Sequence, residues 1–248
     1  MTGIHEHPSR IKTEPSILKP LPKLSTWRDD RFHSAGWNMA LDQAIFDHTS
    51  RSGEAVIRFY HWDHPAITVG YFRRPSAEKS IPGGVVRRFT GGGQVEHGED
   101  LTFVLTLPPG SEHAMATSEK RYRWIHTALQ EALDEAGHRV RLERTPTPSG
   151  TGPCFETPVT WDLLDPSSGE KIGGGAQRRS RGGVIHQGSL RLPNSLRNPR
   201  AEWIRDLVSS LSEEWHGLEK STRDQLDSEA SPLFHRQFGH PSWNEAAG

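Results

Sequence analysis

The chain holds one cysteine, Cys154, set in Gly152-Pro153-Cys154-Phe155-Glu156-Thr157-Pro158, a loop-to-strand junction rather than an apolar run. A thiol becomes a nucleophile when a nearby cation stabilises its thiolate, and an isolated cysteine is otherwise a small buried hydrophobe. Lys171 is the candidate cation. It opens Lys171-Ile-Gly-Gly-Gly-Ala-Gln177, and an ammonium held near an acyl carbonyl would stabilise the oxyanion formed when a thioester or an acyl adenylate is attacked. The plain alternative is a surface lysine at a hairpin end.

A second chemistry-bearing stretch runs from Val85 to His97, Val-Val-Arg-Arg-Phe-Thr-Gly-Gly-Gly-Gln-Val-Glu-His. Arg87 and Arg88 offer forked donors to a phosphate or carboxylate. Gly91, Gly92 and Gly93 let the backbone approach a ligand with no Cβ in the way. With Gly173 to Gly175 and Gly182-Gly183, they suggest several backbones closing on one thin ligand, such as a straight acyl chain. His97 is placed to bond an acyl carbonyl, and His186, in His186-Gln-Gly-Ser189, is expected near the same pocket. Arg178, Arg179 and Arg181 form either a solvated loop or a dock for an acidic carrier protein.

Composition narrows the classes. Thirty basic against thirty-one acidic residues leave a net charge of −1 over 248 residues, which gives no sign of a nucleic-acid or membrane-surface partner. The fourteen histidines show no metal-ligand spacing, so no metal site is expected. A single cysteine fits a reducing cytoplasm. Met1 to Leu24 is rich in Pro, Ser, His and Lys with no apolar segment, so it reads as neither a signal peptide nor a membrane span. Residues 1–25 are expected to form a disordered arm, and 26–248 a single domain with a helical C-terminal tail.

The elements that must position these residues follow from periodicity. Ser34 caps a helix with Trp37, Ala40, Leu41, Ala44 and Ile45 on one stripe, leaving Asp42 and Gln43 on another face. Strands are expected at Ala55 to Trp62, Ala66 to Phe72, Asp100 to Leu107, His138 to Glu143, Val159 to Leu164, Lys171 to Ala176 and Gly183 to Leu192. A helix spans Thr117 to Ala136, stopped by Gly137. Residues 145–153 form a loop, and two more helices cover Ala201 to Trp215 and Ser221 to Phe238. Strands joined mostly by short turns, with helices before, amid and after them, make the class α+β with a mixed sheet.

Taken together, Asn38-Met-Ala-Leu-Asp42, Arg87 to His97, Cys154-Phe-Glu-Thr-Pro158, Lys171 to Gln177 and His186 to Ser189 resemble the lipoate-protein ligase and octanoyltransferase family, which shares its catalytic domain with biotin protein ligases. The resemblance runs from about Trp27 to Leu192. It implies a larger and a smaller mixed sheet flanked by helices, with an acyl tunnel between the Arg-Arg-Gly-rich loop and the lysine strand. Cys-Phe-x-x-Pro followed by Trp161-Asp162-Leu163 is closest to the cysteine-type octanoyltransferases. On that likeness Cys154 and Lys171 are the catalytic residues, and Arg87, Arg88, Gly91, Gly92, Gly93, His97, Gly173, Gly174 and His186 bind substrate. The donor is octanoyl-acyl carrier protein or a lipoyl domain. The acceptor is a lysine of a lipoyl-domain protein, either the glycine cleavage H protein or a 2-oxoacid dehydrogenase E2, and no cofactor is used. The ligase alternative uses ATP and Mg, with Arg87, Gly91 to Gly93 and Lys171 on the adenylate phosphate. A third alternative is a non-catalytic lipoyl-domain or acyl-binding protein. Gly91-Gly92-Gly93 is the ligase-like form of its motif. Where the family carries His-Asp this chain has His97-Gly98, with Glu99 or Asp100 as the replacement carboxylate.

Overall fold

Alternating apolar residues on long strands need a partner on each face, and in the computed structural model two helical layers supply them. The structure describes residues 18–74, 81–145 and 158–245. Strand β1 is Leu21–His33, helix α1 Ala35–Ser52, β2 Ala55–Trp62, β3 Ala66–Val69, β4 Val85–Arg87, β5 Val95–His97 and β6 Leu101–Leu107. Then come the short α2, Glu112–Met115, and α3, Ser118–Glu135, followed by β7 Arg141–Leu142, β8 Leu163–Leu164, β9 Lys171–Ser180 and β10 Gly183–Leu190. The chain continues through α4 Glu202–Leu211, β11 Ser212–Gly217 and α5 Lys220–Leu233, a π-turn at Phe234–Phe238, and α6 Pro241–Glu245.

The larger sheet has eight strands in the order β11-β1-β2-β6-β10-β9-β8-β7, and the smaller has three, β4-β3-β5. Both are mixed. β1 runs parallel to β11 and β2, β3 parallel to β4, and the other pairs are antiparallel. Along β2, Ile57 and Phe59 face a core closed by α3 and α4, while Val56, Tyr60 and Trp62 face a second core closed by α1 and α5. Burial of one such side chain stabilises the fold by about 1.5–3 kcal/mol. None of the described helices is long and apolar enough to cross a membrane.

Local signals place the helix ends. The Ser34 hydroxyl accepts from the Trp37 amide to start α1, which stops at Gly53 with φ 75°. Thr117 caps α3 in the same way. The β9–β10 hairpin turns on Arg181 and Gly182, both at positive φ, as a two-residue turn of the primed type requires.

Two strands depart from the sequence expectation. β1 begins at Leu21, inside the stretch expected to be an arm, because Leu18, Leu21 and Leu24 are buried in the first core. The expected helix from Ala201 to Trp215 ends at Leu211, and Ser212–Gly217 instead pairs with β1 as β11. The helical stripe of Trp203, Leu207 and Leu211 is as expected. What decides its end is the unpaired edge of β1, which no local pattern announces.

The central strands leave little room. A Cβ added at Gly188 would stand 2.2 Å from Phe103 Cε1. Gly188→Ala is therefore expected to cost about 1–3 kcal/mol, read as a lower urea midpoint, and a second change of Phe103→Leu should recover part of the loss. An unchanged midpoint in the single variant would show that the strands separate freely at this position.

Candidate active site

Lys171 enters β9 as its first residue and curls back along the strand. Its Nζ lies 2.7 Å from Asp162 Oδ2, with the lysine side chain 6 % and the aspartate 2 % exposed. Asp162 also accepts from the Val159 amide at 2.7 Å. Burial pushes the Asp162 carboxyl upward, and the Lys171 ammonium and Val159 amide pull against it. Space for the pair comes from Gly174, where a Cβ would stand 2.6 Å from both Lys171 Cε and Asp162 Oδ1.

Across the cleft, β5 delivers His97. Its Nδ1 is 2.7 Å from Asp100 Oδ2 and its Nε2 is 2.9 Å from Thr68 Oγ1, while the Trp62 ring stacks on it at 4.0 Å. Asp100 is thus the carboxylate that serves His97 in place of an adjacent aspartate. Burial alone would raise Asp100. His97 beside it, with the Ser189 hydroxyl and the Gly98 amide, holds it well below the usual carboxylate range. Arg88 completes this wall. It donates to Thr68 Oγ1 at 3.2 Å and to the carbonyls of Gly91 and Gly93 at 2.6 and 2.8 Å.

Between these walls lies a narrow cleft lined by Arg88, His97, Lys171, Gly174 and Gly175, with Met39, Tyr60, Trp62, Val95 and Ala176 as its apolar surface. Gln187 forms part of the floor, donating to Asp42 Oδ2 at 2.7 Å and accepting from Thr90 Oγ1 at 2.7 Å. Asp42, expected off the apolar stripe of α1, is 1 % exposed and bonded also to Arg58 and Tyr60.

The structure thus brings together Arg88, His97, Lys171 and Gly174, and it places the other expected residues elsewhere. The Arg87 guanidinium donates to the carbonyls of Tyr71, Arg73 and Trp243, and its backbone amide to Asn244, which docks α6. Gly91, Gly92 and Gly93 shape the loop behind Arg88 rather than the cleft wall. A Cβ at Gly173 would meet Leu190 and Leu163, and one at Gly175 would meet His186 Nε2 at 2.5 Å. These glycines make room for side chains of the protein itself. Arg178 stacks over Tyr71 and Phe89, and Arg181 pairs with Asp47. Cys154 lies outside the described residues. Asp162 was legible as part of Trp161-Asp162-Leu163 and Ser189 as part of His186 to Ser189, but Thr68 carried no signal, because its hydroxyl reaches His97 only after β3 and β5 pair. Among the described residues no cluster of three or more His, Cys, Asp or Glu side chains is arranged to hold a metal.

His186 is fully buried one layer below Gly175, its ring 5.4 Å from that of His126. Gln177 Nε2 is 3.0 Å from His186 Nδ1, and Gln177 Oε1 accepts from Arg121. His126 Nδ1 meets the Trp161 carbonyl at 2.5 Å, and His186 Nε2 and His126 Nε2 have no partner among the described residues. Burial pushes His126 down to about 4, with nearby Lys171 adding to the effect, and burial lowers His186 as well, with His126 and Arg121 adding to it.

Between pH 6.5 and 4 the unfolded chain therefore binds protons that folded His126 refuses. Stability is fully present above about 6.5 and is lost as pH falls towards 4. Removing this term in His126→Asn should flatten the stability slope over that window by on the order of 3 kcal/mol, measured by urea unfolding at a series of pH values. A variant with the slope of the unsubstituted protein would assign the effect to other groups. Asp29 and Asp100, both held below the usual carboxylate range, lose their contribution only at lower pH.

Comparison with known proteins agrees with this geometry. Among proteins of known name, the octanoyltransferase LipM of Oceanobacillus iheyensis is 32 % identical over 167 residues, covering 64 % of this chain and 60 % of its own length. The chain thus spans about three-fifths of the relatives it matches. Among solved structures, lipoate-protein ligase A bound with ATP superposes with a TM-score of 0.65 at 19 % identity, covering 92 % of this chain and 99 % of its own. The bi-partite lipoate protein ligase of Thermoplasma acidophilum gives 0.59 at 18 %, covering 92 % and 97 %. Residues 34–228, which carry both walls of the cleft, match the lipoyl protein ligase A/B catalytic domain, and the chain belongs to that family.

Proposed function

We propose that this protein is an octanoyltransferase of protein lipoylation, working through a thioester on Cys154. The observation that carries the reading is the buried Lys171 ammonium, held by Asp162 on the wall of an apolar cleft. Cys154 is five residues from Val159, whose amide donates to Asp162.

In the first step the Cys154 thiolate attacks the carbonyl of an octanoyl thioester carried by acyl carrier protein. A carbon–sulfur bond to the enzyme forms, the donor's breaks, and the carrier leaves as a thiolate. Lys171 stabilises the oxyanion between them. The ε-amine of a lipoyl-domain lysine then attacks the acyl-enzyme, forming an amide and returning the thiol. Met39, Tyr60, Trp62 and Val95 give the chain an apolar bed, and His97, oriented by Asp100, meets its polar end. Neither step consumes a nucleotide. The arginines also favour transfer over ligation. Arg87 and Arg88 already donate to backbone carbonyls, so placing either on an adenylate phosphate requires breaking those bonds.

Intact-protein mass spectrometry after incubation with octanoyl-acyl carrier protein, without ATP, is expected to show one added octanoyl group, lost in Cys154→Ala. Gly174→Ala should keep the fold yet slow acyl-enzyme formation by about a hundredfold, because its methyl displaces the Lys171 ammonium. Modification of a lipoyl domain only when lipoate and ATP are supplied would replace this reading with a ligase.

A further inference from the structure

Near the β11–β1 edge of the large sheet, four arginines from separate segments converge on one open bowl. Arg28 comes from β1, Arg200 and Arg205 from the start of α4, and Arg223 from the first turn of α5. Like charges gathered this closely repel one another. Burial and then the charges of Arg200 and Arg205 lower the affinity of Arg28 for its proton, so these cations face each other.

An assembly of this kind is ordinarily balanced by carboxylates, and here the balance is incomplete. Arg200 is paired with Asp30, at 2.9 Å through its Nε. Glu202 also lines the bowl and offsets a second charge. Among the described residues, the side chains of Arg28, Arg205 and Arg223 make no hydrogen bond or ion pair, and Arg223 Nε is buried without a partner. The first turns of α4 and α5 contribute Glu202 and Arg223 to the same lining. The N-cap residues of α4 and α5, Ala201 and Glu219, contribute no side-chain cap, so first-turn amides and both dipoles add positive potential. Asp30 also pulls on Arg28, yet the excess of arginines over carboxylates in the lining, their forked donors and the uncapped amides together match a phosphoryl group.

The bowl is separate from the cleft. The two share no lining residue. Arg28 stands opposite Phe59 in the β1–β2 ladder, so it shares the face of Phe59, away from Tyr60 and Trp62, which line the cleft.

We propose that this bowl is a second ligand site, taking a phosphate-bearing small molecule whose phosphoryl group sits between Arg28, Arg205 and Arg223 and the N-termini of α4 and α5. Isothermal titration of the full chain with inorganic phosphate and, separately, with adenosine diphosphate, at constant ionic strength set by sodium chloride, tests it. Saturable binding of either probe is expected, weakened about tenfold by Arg205→Ala and by Arg223→Ala, with the helical signal by circular dichroism unchanged. Equal affinity for the two probes would mean that the phosphoryl group alone is recognised, and tighter binding of the diphosphate would add its second phosphate or the nucleoside. No saturable binding of either probe, or binding that is unaffected by both arginine variants and lost in Lys171→Met, overturns the proposal.

Discussion

The fold is built around one buried cation. The Arg58 guanidinium is fully buried, and an unpaired charge in that position would cost several kcal/mol. Three residues from two elements meet the demand: Asp29 from β1 at 3.0 Å, and Asp42 and Asn38 from α1 at 3.1 and 2.7 Å, with the Tyr60 ring 4.0 Å below. The register of β1 on β2 and the rotation of α1 are therefore coupled. Asp42 passes the constraint on through Gln187 to β10 and, through Thr90, to the glycine loop. The floor of the cleft is the outer rim of this network.

Glycine serves a second purpose in this site. In β9 and β10 each missing Cβ is occupied by another side chain: Lys171 and Asp162 over Gly174, His186 behind Gly175, Phe103 against Gly188. The glycine-rich strand is thus a mould for the lysine. It lets an ammonium lie flat against the sheet, buried but still on the cleft wall, where its charge is little screened. The small sheet does the same for the opposite wall, because β3 and β5 bring Thr68 and His97 within bonding distance and Arg88 then ties both to the loop.

Much of this was legible in the residues. The Ser34 cap, the stripe along α4 and the run Ala55 to Trp62 each rest on short-range chemistry, where a hydroxyl bonds an amide three residues on or an apolar period matches a helix or a strand. The division into a larger and a smaller mixed sheet followed from the resemblance. Arg87 illustrates the limit. In sequence it is indistinguishable from Arg88, yet a one-residue step along β4 turns it to the other face, where carbonyls of distant segments take its donors.

The sequence by itself determined the helix starts, most strand positions, the α+β class and the stretches from which a site would be assembled, because each depends on neighbours within a few residues. Tertiary structure alone decided that Ser212–Gly217 is a strand, that Asp42 is buried and that Asp100 serves His97. It also decided that the glycines shelter side chains and that four scattered arginines meet. Each of those outcomes rests on a partner tens to hundreds of residues away, and only the folded sheet brings such partners within reach of a hydrogen bond or a charge.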